Sequence, residues 1–405
     1  MPETGPVVAR PGVLTRAGLR RVLVVLCVTE VTSWGVLYYA FPVLAPSIAD
    51  TTHWPVPTVT AAFSVSQVVA AFAGIPVGRL LDRVGPRPVM TAGSVLAAPS
   101  VVAIAAAPNL VWFFAAWTAA GLAMAAVLYQ PAFAALTRWW GPRRVTALTA
   151  LTLVAGLAST IFAPLTATLA DQLDWRRTYV TLAVVLAAIT IPAHAIGLRG
   201  AWPHPTTEAH GHIHHSPDRV ARSRAFLALA AAMSLATFAA FAVLIGLVPL
   251  LIERGLSTAT AAWALGLGGA GQVLGRLGYT RLAAATSVRT RTVLILAASA
   301  GTTALLGLVP GPAALLIAAA ILVGATRGIF TLLQATAISD RWGARHYGHL
   351  NGLLSAPILF ATALAPWAGT ALAQTLGGYP TAFLALAVAT AVAAVLAAAS
   401  TARSQ

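Results

Sequence analysis

Gly78-Arg79-Leu80-Leu81-Asp82-Arg83-Val84-Gly85-Pro86-Arg87 closes one long apolar stretch, 57–81, and opens the next, 87–107. About 20 apolar residues in helical form cross a hydrocarbon core. The charged decapeptide therefore reads as a tight turn joining two membrane-crossing helices. Outward from it the same alternation continues along the whole chain. Apolar segments run over 21–46, 57–81, 87–107, 110–137, 145–171, 178–198, 225–252, 258–282, 290–309, 312–338, 349–374 and 380–400. All 25 basic residues are arginine, and they gather in every second gap. With arginines in end turns assigned to the adjoining gap, 21 fall on the side that holds both termini. Arg176, Arg177 and Arg254 fall on the other, and Arg327 lies inside a segment. Short arginine-rich loops stay cytoplasmic. The expectation is an all-α protein of twelve membrane helices in the cell inner (cytoplasmic) membrane, both termini cytoplasmic.

Composition agrees with a membrane solvent. The chain is 59% hydrophobic and 9% charged, against about 25% charged in soluble domains; mean hydropathy is +0.83. A net charge of +15 does not point to nucleic acid, because the arginines sit in short loops beside spans rather than on one basic face. Their natural partners are anionic lipid headgroups. The single cysteine, Cys27, allows no intrachain disulfide. The first apolar segment is too long for a signal h-region and no small-residue cleavage site follows it, so it reads as helix one. Without lysine there is no G-x-x-x-x-G-K-[ST] phosphate loop, which argues against a primary pump. The spans carry no metal motif and no nucleophile–base pair, so neither an enzyme nor a cofactor is expected. A sensor would need an output domain, which neither tail nor linker is large enough to hold.

The chain divides at its longest polar stretch, 199–224, which contains Pro203, Pro205 and Pro217 and reads as a linker. The flanking portions, 1–198 and 225–405, resemble each other. Arg138-Trp139-Trp140-Gly141-Pro142-Arg143 corresponds to Asp340-Arg341-Trp342-Gly343-Ala344-Arg345 at an offset of 202, as Ala163-Pro164 does to Ala365-Pro366. Gly78-Arg79-Leu80 corresponds to Gly275-Arg276-Leu277 at 197. Two duplicated six-helix halves place a solute site between them, near the bilayer midplane.

The decapeptide resembles the major facilitator superfamily signature G-x-L-x-D-R-x-G-R-[RK]. The resemblance implies the twelve-helix facilitator fold and a conformational latch formed by Gly78, Arg79, Asp82, Arg83, Gly85 and Arg87. Gly78 is expected to permit close helix approach, and Gly85 to allow the turn. In the second copy Tyr279 stands in place of Asp82. Two marks of proton-antiporting drug exporters are missing: Trp117 stands where their span-four arginine would be, and Gly156 to Pro164 lacks their span-five motif. Glu30-Val31-Thr32-Ser33-Trp34-Gly35, Tyr38-Tyr39-Ala40-Phe41 and Asp174-Trp175-Arg176-Arg177-Thr178-Tyr179 are similar to stretches of the monocarboxylate porters and their oxalate/formate-type bacterial relatives. That group carries an aspartate four residues before a span-eight arginine; here the pair is Gln272 and Arg276.

Ionisable groups within spans are functional by default. Glu30, Trp34 and Tyr38 step by four and share a helix face, suiting a cavity wall on which Glu30 carries a proton. Arg327, followed by Phe330, Thr331 and Gln334 on its own face, suits two-point binding of a carboxylate, or pairing with Glu30 when the site is empty. Arg276 either binds solute or copies Arg79 as a latch. Gln67, Tyr129, Gln130, Gln272 and Asn351 are uncharged candidates, of which Tyr129 and Gln272 join the expected solute site. His194 reads as a bundle histidine and Glu253 as solvated. His204, His210, His212, His214 and His215 in the linker read as a polar tract rather than a metal site. The expected function is proton-coupled movement of a monocarboxylate or related organic anion by a monomer. The rival is proton-driven efflux of a hydrophobic drug or metabolite.

Overall fold

The computed structural model describes residues 14–202, 220–342, 347–398 and 400. The side chains of Asp82 and Asn351 and all five linker histidines lie outside the described part, so the readings placed on them stop here. Every regular element among the described residues is helical. In the first half these are α1 Arg16–Thr52, α2 Val56–Val84, α3 Pro86–Ala105, α4 Leu110–Trp140, α5 Thr146–Gln172 and α6 Trp175–Gly197. In the second they are α7 Arg224–Glu253, α8 Thr258–Ala285, α9 Val288–Leu308, α10 Ala313–Thr336, α11 Tyr347–Thr375 and α12 Tyr379–Ala398.

Eleven helices among the described residues are long and apolar enough to cross a membrane. The exception to the expected twelve, α8, is 28 residues long but diluted by six glycines, Arg276 and Arg281. Those glycines serve packing. A Cβ at Gly271 or Gly275 would meet the Ile321 or Ala325 carbonyl of α10, and one at Gly324 or Gly328 would strike the α8 backbone at Gly268 or Gln272. On another side of α8, Gly266 and Gly269 face Thr160 and Ser159 of α5. Small residues let helix backbones approach in lipid, where no hydrophobic drive brings helices together.

Packing repeats between the halves. α2 lies on α4 as α8 lies on α10, and α3 packs on α6 as α9 packs on α12. The halves meet along two seams, α2 with α11 and α5 with α8. Thr60 and Thr370 hydroxyls lie 2.6 Å apart across the first, and the Trp367 amide donates to Ser64 Oγ at 3.0 Å. Across the second, Thr160 Oγ1 donates to the Gly266 carbonyl at 2.8 Å.

On the arginine-poor side the outlying arginines close helix ends. Arg176 Nη1 donates to the Ala105 and Ala107 carbonyls at the end of α3, while Arg254 Nη2 donates to the Gly307 carbonyl at the end of α9. A cation there also suits the helix dipole. Arg177 forms an exposed ion pair with Asp174 at 3.6 Å. Glu253, expected to be merely solvated, accepts from the Tyr379 amide at 2.9 Å and caps α12.

Candidate functional site

Two proline effects shape the centre. Pro42 has no N–H with which to bond the Tyr38 carbonyl. Just upstream, α1 takes a π turn over Gly35–Tyr39, where the Ala40 amide reaches back to the Gly35 carbonyl. Such turns re-aim side chains and recur at functional sites. In α4 the ring of Pro131 conflicts with the Val127 carbonyl, and the helix breaks at Leu128, which is extended at φ −91° and ψ −167°. Tyr129 is set inward by that break.

Aromatic rings converge there. Trp34 lies 5.3 Å from Tyr38, 6.4 Å from Tyr39 and 4.9 Å from Tyr129, and Tyr129 stacks on Phe133 at 5.0 Å. Tyr38 reaches across the seam to Phe241 of α7 at 6.2 Å. The Arg327 guanidinium sits 4.9 Å over the Phe241 ring, within the range of a cation–π attraction.

Glu30 is fully buried. Its Oε2 accepts from Trp34 Nε1 at 3.0 Å, while Oε1 and the Tyr38 hydroxyl are buried without partners. The expected Glu30–Arg327 ion pair does not form: the ion pairs among the described residues are Arg177–Asp174 and Arg291–Asp340. Arg276, 7% exposed, crosses to the first half and donates through Nη1 to the Thr152 carbonyl, with its Nε unpartnered. It is thus a seam contact as well as a central charge.

Other candidates are held elsewhere. Gln334, expected on the solute face, donates to Thr237 Oγ1 at 2.6 Å and ties α10 to α7. Gln67 contacts Met124 sulfur at 3.4 Å. Gln272 is buried beside Arg327 at a space between α7, α8, α10 and Ser159. That space is about 30 Å³, too small for an organic solute. A space of about 480 Å³ between the halves lies near the arginine-poor end, walled by Asp50, Thr60, Pro249, Glu253, Thr370 and Tyr379 among others.

His194 Nδ1 bonds Ser94 Oγ at 2.8 Å, but its buried Nε2 has no partner. In the signature loop Gly85 takes φ +85°, as a glycine turn requires, and Arg87 Nε donates to Ala195 of its own half at 2.8 Å. Gly78 corrects its expected role: nothing lies within 4 Å of a Cβ built there, so it permits no close approach. Its counterpart Gly275 does. Asp340 was missed by the sequence reading. It pairs with buried Arg291, whose guanidinium lies 5.7 Å over the Tyr279 ring, and Tyr279 bonds Thr336 at 2.6 Å. The second half thus takes its carboxylate from after α10, where Tyr279 has replaced the loop aspartate.

Two six-helix halves packed through α2–α11 and α5–α8, with polar groups from both meeting at mid-span, define a multi-pass membrane transporter. The sequence agrees: residues 26–315 and 227–404 match the Major Facilitator Superfamily, and the chain belongs to it. No curated protein matches the sequence. Among solved structures, the chain resembles a bacterial homologue of the human lysosomal transporter Spinster in its inward-facing, unoccupied conformation. That match has a TM-score of 0.75 and 13% identity over 96% of this chain and 98% of the other. The nucleoside transporter NupG matches with a TM-score of 0.76 and 14% identity over 94% and 99%. The E. coli fucose:proton symporter FucP matches with a TM-score of 0.62 and 16% identity over 94% and 98%. At these identities the likeness is one of fold.

Proposed function

We propose that the protein is a proton-coupled secondary transporter of a small organic anion, a monocarboxylate or close relative, working by alternating access. The reading is carried by one observation: Arg327, over the Phe241 ring, and Arg276, bonded to the Thr152 carbonyl, form no ion pair among the described residues, while Glu30 of the first half is buried with one oxygen unpartnered. Two guanidiniums that no described carboxylate neutralises favour an anionic guest. Glu30 is the proton carrier, and its free Oε1 is where the proton resides. Trp34, Tyr38, Tyr129, Gln272 and Gln334 complete the solute surface once the halves part. Residues 1–198 and 225–405 rock as two bodies about the centre, and the loop from Gly78 to Arg87 latches them. Both termini face the cytoplasm of a cell whose inner membrane holds the protein as a monomer.

The test is counterflow of radiolabelled lactate or pyruvate in proteoliposomes. Saturable counterflow that an imposed proton gradient accelerates is the expected result. Absence of counterflow, together with resistance to toxic apolar compounds on expression, would replace this reading with efflux of a hydrophobic solute.

A further inference from the structure

Two adjoining cavities lie along α2 toward the arginine-rich side, the first against α11 and the second against α4. The first, about 350 Å³, lies between α2 and α11 and is walled by Phe72, Ile75, Leu359 and Phe360. The second, about 190 Å³, continues it past Gly74 and Gln130, which line both, to Gly78 and Leu81. Phe72 and Phe360 come from opposite halves and meet edge to face at 6.0 Å. They are 58% and 55% exposed. Gly78 leaves the lower part of the groove open, since a Cβ there would meet nothing within 4 Å. Apolar surface so open marks a membrane or ligand contact.

The α2 face that walls the first cavity leads to charge, although neither Arg79 nor Arg83 lines a cavity itself. Val68, Phe72, Ile75 and Arg79 follow at four-, three- and four-residue steps, so one helix face leads from the cavity to a guanidinium. Arg83 lies a turn further. Both arginines are exposed, and neither takes part in an ion pair among the described residues. Arg87, the third arginine of the loop, is bound to the Ala195 carbonyl.

We propose that this groove seats an acyl chain of an anionic phospholipid, with the phosphate at Arg79 and Arg83. Guanidinium groups bind phosphate through paired, charge-assisted hydrogen bonds, and a surface cluster of arginine draws anionic headgroups. A zwitterionic lipid would fill the apolar part equally, but its amine would offset the phosphate at the arginines. Because α2 and α11 belong to different halves, the chain straddles the seam. Its seat changes when the halves move, so the lipid favours whichever state it binds better. The proposal stands independently of the solute assigned above.

The experiment is thermal unfolding of the purified full chain in detergent. Phosphatidylglycerol is compared with phosphatidylcholine of the same acyl composition. Phosphatidylglycerol is expected to raise the midpoint more. The double variant Arg79→Gln with Arg83→Gln should reduce that increment to the phosphatidylcholine level. Gly78→Leu, whose side chain enters the open groove, should lose the increment while unfolding at the parent temperature without lipid. Equal stabilisation by the two lipids, or a full increment in the double arginine variant, overturns the proposal. Native mass spectrometry gives a second readout should Gly78→Leu fold poorly: phosphatidylglycerol adducts must persist on the parent and fall away from the arginine variant. Equal retention on both overturns it too.

Discussion

Trp34 Nε1 holds one oxygen of Glu30 at 3.0 Å, and the other oxygen is buried with no partner. A half-satisfied carboxyl in a bilayer span is costly, and a proton on the free oxygen relieves that cost. Glu30→Gln keeps the shape and the Trp34 bond while removing the exchangeable proton. Proton-driven accumulation should vanish, and solute exchange without a gradient should survive. Measured uptake whose pH dependence matches the parent would remove Glu30 from the coupling step.

Arg327 makes a different prediction because it is held by a ring rather than by a carboxylate. Its cation–π contact contributes roughly 0.5–2 kcal/mol and leaves the guanidinium edges free for a guest. A charged hydrogen bond is worth about 1.5–3 kcal/mol, so Arg327→Ala should weaken binding of anionic solutes roughly 10- to 100-fold. Neutral analogues should be little affected. Arg327→Lys keeps the charge but loses the planar fork and should fall between. Equal losses for anionic and neutral compounds, measured by calorimetry or counterflow competition, would reduce Arg327 to a structural role.

Glycine positions separate what sequence spacing conveys from what it hides. Gly78 and Gly275 occupy matching places in the repeat, yet only Gly275 abuts a backbone, the Ala325 carbonyl of α10. Gly275→Leu or Gly328→Leu should therefore destabilise by more than the usual 1–3 kcal/mol or so of an overpacked core, because a backbone cannot rotate away. Gly78→Ala should leave thermal stability unchanged. Similar melting temperatures for Gly78→Ala and for Gly275→Leu or Gly328→Leu would contradict this packing account.

The same comparison explains which features were legible. Membrane spans follow from composition and the alternation of arginine, because the bilayer imposes helices on any such chain that crosses it; the two halves follow from the internal repeat, and the facilitator fold was implied by the resemblance of residues 78–87 to the superfamily signature. Span α8 was visible as a segment although glycine dilutes its apolarity. The interior was less legible. The π turn before Pro42 and the break before Pro131 re-aim Trp34, Tyr38 and Tyr129 by local backbone geometry that helical spacing does not encode. The partners of Arg276 and Gln334, Thr152 and Thr237, lie 124 and 97 residues away, and nothing in the spacing marks them. Asp340 escaped notice because the repeat placed the missing carboxylate at Tyr279, whereas the fold supplies it from the helical turn Ser339–Trp342 after α10.

The seam itself can be tested by cross-linking. Thr60 and Thr370 hydroxyls touch at 2.6 Å near the arginine-poor end, so the side chains are close enough for a bridge if the geometry relaxes slightly. Alternating access requires α2 and α11 to part there during each cycle. Thr60→Cys with Thr370→Cys should form a disulfide under mild oxidation, stop transport, and recover it on reduction. The single native cysteine, Cys27, is buried and free and lies on α1, so it offers little competition. Each single variant should transport normally after oxidation. If the oxidised double variant kept full transport with the bridge verified by mass spectrometry, the two helices would not separate at this level. The rocking motion would then have to be assigned to the α5–α8 seam alone, where Thr160 Oγ1 holds the Gly266 carbonyl.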